Sequence, residues 1–283
     1  MSVSTRIDAP TPQVTTRMVE LACLAPSIHN TQPWAWRLSG VEAWLYADLD
    51  RQLRVEDPQG RNLVISCGAA LHHFQLAARA LGWSADVERI PDPDNLTALA
   101  HVRLRRDPRP DQVGVLDALR TRCTDRRRFT SWPVPPERLE TLCEEARDRE
   151  AAAVPVLDLA ARFRIEQTVR QALELRERDP HDPRPEVESS DGLIVLGGVA
   201  DDRLSWLRTG EALSALWIRA TRTGLSVVPL SEPLDLPSIR TELRTQLANA
   251  FEPHLLVRVG WQAIGRSELP STPRRSVDQV LRA

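Results

Sequence analysis

The chain contains no lysine, and all 37 of its basic residues are arginine. Covalent chemistry through a lysine Schiff base is therefore excluded. Any anion that the protein binds must be held by guanidinium groups or by backbone N–H groups. Because 39 acidic residues leave a formal net charge of -2, no overall field attracts nucleic acid or an anionic membrane. Neither is expected as a partner.

Cysteine is also scarce, and long apolar runs are missing. Cys23, Cys67, Cys123 and Cys143 stand far apart with no CxxC pair, which favours free thiols over a zinc site or a redox motif. No run reaches the ~18 apolar residues of a membrane span. The first residues lack the charged-then-apolar pattern of a secretory signal. We therefore expect a cytoplasmic protein with no bound metal.

The rest of the composition, 42% hydrophobic and 27% charged, is ordinary for a soluble globular protein. One helical pattern occurs twice, at Gly68–Ser84 and Gly210–Ser226, 142 residues apart. In both copies apolar residues recur at helical spacing, a glycine follows as a C-cap, and a β-prone run comes next. The sequence predicts an N-terminal arm at 1–13 and two similar α+β halves at 14–112 and 113–283, packed as a pseudo-dimer within one chain.

A short polar segment near the N-terminus reads Ala-Pro-Ser-Ile-His-Asn-Thr-Gln-Pro-Trp. Pro26 and Pro33 bound it and fix φ, so it cannot simply extend a helix. Ser27, Asn30 and Gln32 offer hydrogen-bond donors and acceptors from this stiffened loop. Such a loop suits a planar polar ligand, and a well-capped loop without a ligand is the alternative.

A second polar segment, Arg-Thr-Arg-Cys-Thr-Asp-Arg-Arg-Arg-Phe, begins at Arg120 and precedes a predicted helix near Pro136. Guanidinium forks match phosphate oxygens bidentately, and a dianion would relieve the repulsion among neighbouring arginines. Charge alone also fits a solvated basic patch or a contact with nucleic acid. Near the C-terminus stands a further basic pair, Arg274 and Arg275, which has little meaning by itself.

The early loop, Ala-Pro-Ser-x-x-Asn-x-Gln-Pro-Trp, resembles the flavin-ring loop of the nitroreductase family, whose members bind FMN in a cleft between two subunits. The resemblance runs from about Val14 to Leu281 and is most specific to the Acg-type members, which carry two nitroreductase-like halves on one polypeptide. It implies an α+β nitroreductase-like fold, FMN as cofactor and NAD(P)H as co-substrate. A monomer with internal pairing is expected, and a further homodimer would be compatible with it.

The resemblance also implies which residues hold the cofactor. The early loop would contact the flavin ring, and the arginine-rich segment and the C-terminal pair would hold the phosphate. The segment after Gly224 would bring backbone N–H groups towards flavin N5 and O4. An inserted residue before Phe129 leaves Arg126 and Arg127 as alternatives at the phosphate. The expected cofactor-binding residues are Pro26, Ser27, Asn30, Gln32, Arg122, Thr124, Arg126, Pro229, Leu230, Ser231, Arg274 and Arg275.

Two departures from the family pattern bear on function. The second half has no Pro-Ser-Asn-Gln loop after its first helix, and the first half has no arginine-rich segment before its own. We therefore expect one complete cleft and one FMN per chain. Glu232 and Pro233 stand where many relatives have a glycine near the flavin ring. This difference is compatible with flavin contact but argues against ordinary nitroreductase turnover.

Three functions are weighed from the sequence. The first is an FMN-dependent oxidoreductase that reduces a small nitroaromatic or quinone-like substrate with NAD(P)H through flavin N5. No catalytic residue is assigned for it, and His29 fits either a general acid or a loop histidine bonded to backbone. The second is an FMN-sequestering protein with little or no turnover, in which the polar stretch Glu177–Asp191 would be a lid rather than a surface loop. The third, a nucleic-acid binder, has no supporting motif.

Overall fold

The structure is a computed structural model and describes residues 9–107, 114–174, 192–247, 250–263 and 272–282. Within these ranges the chain is an α+β fold. The helices are α1 (Pro12–Ala22), α2 (Arg61–Ala80), α3 (Val115–Thr121), α4 (Pro136–Arg147), α5 (Leu159–Glu174), α6 (Arg203–Arg222), α7 (Pro237–Gln246) and α8 (Val277–Val280). The strands are β1 (Trp34–Ser39), β2 (Glu42–Ala47), β3 (Trp83–Arg89), β4 (Ala98–Arg106), β5 (Ala152–Pro155), β6 (Gly192–Gly198), β7 (Leu225–Leu230) and β8 (Glu252–Trp261).

The strands form two antiparallel sheets with the same order. The first sheet runs β1-β2-β4-β3 and the second runs β5-β6-β8-β7. Along the chain, α1-β1-β2-α2-β3-β4 corresponds to α4-β5-β6-α6-β7-β8, with α5 and α7 as additions in the second half. The described residues thus contain the two similar halves that the repeat predicts.

The added helices explain why the two sheets differ in burial. Ile194 and Leu196 of β6 pack towards α4 and α6, whereas Leu193 and Val195 pack on the other face towards α5 and α7. Strand β6 is buried over its whole length. In the first sheet, β3 instead alternates between covered and exposed residues, as expected of an antiparallel sheet with one solvated face.

The two long helices cross with their backbones in contact. A Cβ on Gly68 of α2 would lie 2.1 Å from the carbonyl oxygen of Leu207, and one on Gly210 of α6 would lie 2.0 Å from that of Ile65. Both separations are far below van der Waals contact, so glycine is required on each helix at the crossing. The equivalent residues of the two copies therefore make equivalent contacts.

Each long helix ends as the repeat predicts. Gly82 follows α2 with a φ of 81°, and Gly224 follows α6 with a φ of 76°. Glycine is favoured at this position after a helix because it has no Cβ and adopts left-handed backbone without a steric penalty. These glycines lead directly into β3 and β7.

The C-terminal residues pack on the first sheet, although the sequence assigned them to the second half. Val280 is buried in the core of the first half. The N–H of Arg282 donates to the carbonyl oxygen of Trp36 at 2.7 Å, and Leu281 forms a parallel bridge to Trp36. This contact covers the edge strand β1. At the other end of the chain, α1 begins at Pro12, inside the segment expected to be an extended arm.

The described part of helix α5 is Leu159–Glu174. The proposed lid, Glu177–Asp191, lies outside the described residues. Across the described ranges, no helix combines the length and apolar character needed to cross a bilayer.

Candidate functional site

A pocket that is partly open to solvent lies where three distant chain segments meet. The early loop, the arginine-rich segment and the segment after β7 all contribute to its wall, together with one face of α2. The lining residues are Pro26, Ser27, Ile28, His29, Asn62, Ile65, Ser66, Ala69, Thr124, Arg126, Leu213, Pro229, Leu230, Ser231, Glu232, Pro233 and Leu255.

The early loop is closed on itself by its own serine and joined to α2 by a serine of the helix. Ser27 Oγ accepts a hydrogen bond from the N–H of Gln32 at 3.0 Å, and Ser66 Oγ accepts one from the N–H of Ile28 at 3.2 Å. The loop also contains left-handed residues, among them Asn30 (φ 55°) and Gln32 (φ 49°). Such backbone is uncommon for residues other than glycine and is found preferentially at functional sites.

The amide side chains of the loop are paired with the C-terminal arginines. Arg274 Nη1 donates to Asn30 Oδ1 at 3.1 Å, and the N–H of Arg275 donates to Gln32 Oε1 at 2.8 Å. Arg275 Nη1 also donates to the carbonyl oxygen of Gln32 at 3.1 Å. The four residues, expected to contact the cofactor, therefore bond to one another and are not among the residues that line the pocket.

Arg122 is a buried cation whose hydrogen-bonding capacity is not filled by the protein. Its side chain stacks over Trp217 at 4.5 Å, and its Nη2 donates to the carbonyl oxygen of Leu24 at 3.0 Å. Its Nε and Nη1 are buried and have no partner among the described residues. Burial, followed by the charge of nearby Arg274, lowers the pKa of Arg122 to about 9. A buried guanidinium in this state is stabilised by an anion.

The structure distinguishes between the two arginines that the sequence left as alternatives. Arg127 is held by Asp125: its Nε donates to Oδ1 at 2.9 Å and its Nη2 to Oδ2 at 2.7 Å. Arg126 is exposed and lines the pocket, as does Thr124. Of the two, Arg126 lines the pocket and Arg127 is paired with Asp125.

The segment after β7 reaches the pocket and is clamped to the start of α2. Pro229 and Leu230 at the end of β7 and Ser231 directly after it line the pocket, and a 3-10 turn over Glu232–Asp235 follows them. Buried Arg61 Nη2 donates to Asp235 Oδ1 at 2.7 Å, and Asn62 Nδ2 donates to the same oxygen at 2.8 Å. Burial lowers the pKa of Arg61, and the carboxylate of Asp235 opposes this shift.

Sequence reasoning missed the contribution of α2. Asn62, Ile65, Ser66 and Ala69 line the pocket, and their spacing of three, four and seven residues places them on one face of the helix. A polar and small-residue face on an otherwise apolar helix was the available signal. The regular apolar positions of the repeat obscured it.

The corresponding place in the second copy is filled by protein. Glu211 of α6 stands 142 residues after Ala69 and is completely buried. Arg89 Nε and Nη2 donate to its two carboxylate oxygens at 2.7 and 3.0 Å, and Gln75 Nε2 donates at 2.6 Å. The first copy thus has the methyl group of Ala69 beside the pocket. At the equivalent position the second copy has the carboxylate of Glu211, which is hydrogen-bonded to Arg89 and Gln75.

Comparisons with known proteins identify the family. No family model matches the chain. A Mycobacterium tuberculosis protein named "Putative NAD(P)H nitroreductase Rv3131" is 35% identical, over 93% of this chain and 90% of its own length. Another, "Putative NAD(P)H nitroreductase acg", is 31% identical over 93% of both chains. The chain therefore belongs to the nitroreductase family.

A solved structure matches the fold across both halves. It is described as that of a "putative nitroreductase" from Anabaena variabilis, and it superposes with a TM-score of 0.65 over 89% of this chain and 88% of its own. Its sequence is only 9% identical, so the likeness concerns the fold alone.

Proposed function

We propose that the protein is an FMN-dependent oxidoreductase that uses NAD(P)H to reduce a small nitroaromatic or quinone-like compound. Membership of the nitroreductase family supports the class of reaction, because the relatives at 35% and 31% identity are both named NAD(P)H nitroreductases. The pocket supports a flat cofactor, since Ile65, Leu213 and Leu255 give it apolar walls and the rigid early loop forms one side. Apolar walls combined with polar groups that fix the ligand's orientation are typical of cofactor sites.

The observation that carries the FMN assignment is the unfilled hydrogen-bonding capacity of Arg122. A guanidinium with two buried, unpartnered nitrogens suits the oxygens of a phosphate, which accept several hydrogen bonds at once. Thr124 and Arg126 are in the same segment and line the pocket. We assign the phosphate to this segment and the flavin ring to the pocket wall formed by Pro26, Ser27 and the residues after β7.

FMN, when bound, supplies hydride acceptance and donation at its ring. The chain contributes orientation and electrostatics. Between Pro229 and Pro233, which have no backbone N–H, three residues of this wall carry one: Leu230, Ser231 and Glu232. These N–H groups would stabilise negative charge on the reduced ring. The clamp between Arg61 and Asp235 fixes the position of these groups.

FMN sequestration is the second candidate, and one observation favours it. Glu232 and Pro233 line the pocket itself, and a carboxylate with a rigid ring beside it restricts the space above a flavin. A nicotinamide that cannot stack on the ring cannot transfer a hydride to it. The two functions make the same prediction for FMN binding and opposite predictions for reduction.

We also propose one FMN per chain, in a monomer whose two halves supply both sides of the cleft. The buried network of Arg89, Gln75 and Glu211 supports this stoichiometry, because it occupies the place that the pocket takes in the other copy. A cytoplasmic location is part of the same proposal, since free thiols suit a reducing compartment.

The test compares Arg122→Ala with Arg127→Ala in otherwise identical preparations. Loss of the buried phosphate contact should weaken FMN binding at least ~30-fold, since charged hydrogen bonds in buried sites are strong. Arg127→Ala should bind FMN within about threefold of the wild type. Circular dichroism checks that both variants fold. Equal FMN binding by the wild type and Arg122→Ala would refute the phosphate assignment.

Anaerobic addition of NADH or NADPH to the FMN-loaded protein then separates the two functions. Prompt bleaching of the flavin absorbance supports the oxidoreductase. Persistence of the absorbance, with full reduction by dithionite in the same cuvette, supports sequestration. A ratio near two FMN per chain would contradict the single-cleft proposal.

A further inference from the structure

His29 lines the pocket in an uncommon backbone conformation. Its φ of 43° and ψ of 29° are left-handed, a region that residues with a side chain seldom occupy. Two turn hydrogen bonds enclose it, from the N–H of Asn30 to the carbonyl oxygen of Ser27 and from the N–H of Thr31 to that of Ile28. In this conformation His29 forms part of the pocket wall.

The imidazole faces a carboxylate that stands on a fixed support. His29 Nε2 lies 3.2 Å from Glu56 Oε2. The next residue, buried Asp57, accepts a hydrogen bond from the N–H of Leu63 at the start of α2 at 2.9 Å. Gln52 Nε2 donates to the carbonyl oxygen of Asp57 at 2.8 Å. The backbone next to Glu56 is therefore fixed by the contacts of Asp57. Through Nε2, Glu56 can orient the imidazole so that Nδ1 of His29 is available to another partner.

We propose that His29 is a catalytic residue that binds an oxygen atom of the acceptor and delivers a proton to it, with Glu56 as its positioning residue. This assignment rests on the proposed function, which supplies the two electrons. For a 1,4-quinone, a hydride comes from the flavin that NAD(P)H has reduced. The N–H bond of the His29 imidazolium breaks, an O–H bond forms on the quinone oxygen, and the product is a hydroquinone.

The surroundings of His29 suit this role. Its side chain is 42% exposed, so the neutral imidazole left after the transfer can regain a proton from solvent. Arg126 and Glu232 are the other charged side chains in the described wall of the pocket. On α2, packed against the loop, Arg61 is committed to Asp235. Among the described residues of this wall, His29 is therefore the candidate for proton transfer. Imidazole is the side chain best suited to that role near neutral pH.

The test uses His29→Asn and Glu56→Gln, with His101→Asn as the matched control. His101 on β4 also lies between carboxylates, at 3.7 Å from Glu42 and 3.6 Å from Glu88, but it is not part of the pocket lining. The first readout is binding of 4-nitrophenol, followed by its absorbance, in both the flavin-free and the flavin-loaded protein. We expect about tenfold weaker binding in His29→Asn, a smaller loss in Glu56→Gln, and no change in His101→Asn.

The second readout is reoxidation of the reduced, flavin-loaded protein in a single turnover. 1,4-Benzoquinone takes a hydride and a proton, whereas ferricyanide takes electrons alone. His29→Asn should slow the reaction with the quinone by about 100-fold or more and that with ferricyanide by less than twofold. The proton-linked part of the pH profile with quinone should disappear in this variant and be retained in His101→Asn.

Three results would overturn the assignment. They are unchanged 4-nitrophenol binding in His29→Asn, equal slowing with both oxidants, and loss of bound flavin from His29→Asn, which would make the residue part of the cofactor site. Failure of the wild type to bind flavin is a different outcome. It would remove the proposed function, while 4-nitrophenol binding to the flavin-free protein would still report on His29.

Discussion

His72 Nδ1 lies 2.8 Å from Ser214 Oγ in the buried contact between α2 and α6. The two residues are 142 positions apart, which is also the separation of the two repeated helices. His72 therefore contacts the residue at its own equivalent position in the second copy. This contact marks the point about which the two copies are arranged. The glycines that cross one turn earlier on each helix, Gly68 and Gly210, make reciprocal contacts around the same centre.

The first prediction concerns this crossing. Gly210→Ala would place a Cβ 2.0 Å from the carbonyl oxygen of Ile65, and the two helices would have to separate. We expect a loss of about 3 kcal/mol or more in the free energy of unfolding, measured by urea denaturation. Gly224→Ala is the control, since a Cβ at that residue would have nothing within 4 Å. Its only expected cost is that of placing alanine in left-handed backbone, about 1 kcal/mol in the free energy of unfolding. Similar losses in both variants would contradict tight packing at the crossing.

The second prediction concerns the clamp between α2 and the segment after β7. Asp235→Asn removes the charge that pairs with buried Arg61, which should cost about 3–5 kcal/mol because the guanidinium stays buried without its carboxylate. Asp86→Asn removes an exposed pair with Arg105 of the same 2.7 Å length and should cost under about 1 kcal/mol. Thermal or urea unfolding measures both. Equal effects would mean that the clamp contributes no more than a surface ion pair.

The third prediction concerns stability in acid. His254 is buried, with Thr209 Oγ 2.9 Å from its Nδ1, and burial lowers its pKa from 6.5 to about 4. Between these values the unfolded chain binds a proton that the folded chain excludes. Stability should therefore decline as the pH falls below about 6.5, by up to ~1.4 kcal/mol per pH unit from this group, and level off below about pH 4.

His254→Asn should flatten this decline, since asparagine stays neutral and retains a hydrogen-bond acceptor. Unfolding by urea at several pH values from 4 to 7 provides the measurement. An unchanged slope in His254→Asn would show that other groups, such as the buried His72 and His73, account for the acid sensitivity; burial lowers the pKa of both.

The fourth prediction concerns thiol reactivity. Cys123 is exposed, and the other three cysteines are buried. Burial raises the pKa of Cys23 to about 11 and that of Cys143 to about 12, and it also raises the pKa of Cys67, so their reactive thiolates are suppressed. An aromatic disulfide reagent should modify one thiol in the native protein and all four in denaturant. Cys123→Ser should leave no fast-reacting thiol, and a second fast thiol would contradict the burial of the others.

Much of the architecture was predictable because it depends on local patterns. Helical spacing and a following left-handed glycine are properties of consecutive residues, and they indicated α2 and α6 as copies of one unit. The prolines of the early loop likewise indicated a stiff, non-helical segment. The added helices α5 and α7 were less predictable, because their place on the outer face of the second sheet depends on residues far away in the chain.

The candidate site was predictable only in outline. Thr124, Arg126 and Pro229–Ser231 line the pocket with Pro26 and Ser27 of the early loop, whereas Asn30, Gln32, Arg122, Arg274 and Arg275 are not among its lining residues. The pairing of Asn30 with Arg274, and the choice between Arg126 and Arg127, needed three dimensions, because sequence spacing does not say which of several donors meets a given acceptor. The face of α2 at Asn62 and Ser66 was missed for the same reason.

By itself, the sequence determined that any anion must be bound by arginine or by backbone, that the chain contains a duplicated unit, and that a proline-bounded polar loop follows the first helix. Those features depend on residue chemistry and on the periodicity of neighbouring residues. Only the tertiary structure decided that Arg122 is buried with unfilled donors, that Glu211 occupies the second copy's equivalent of the pocket wall, and that His29 meets Glu56. Each of these is a contact between residues that are separated along the chain or a consequence of burial, and both arise only when the chain folds.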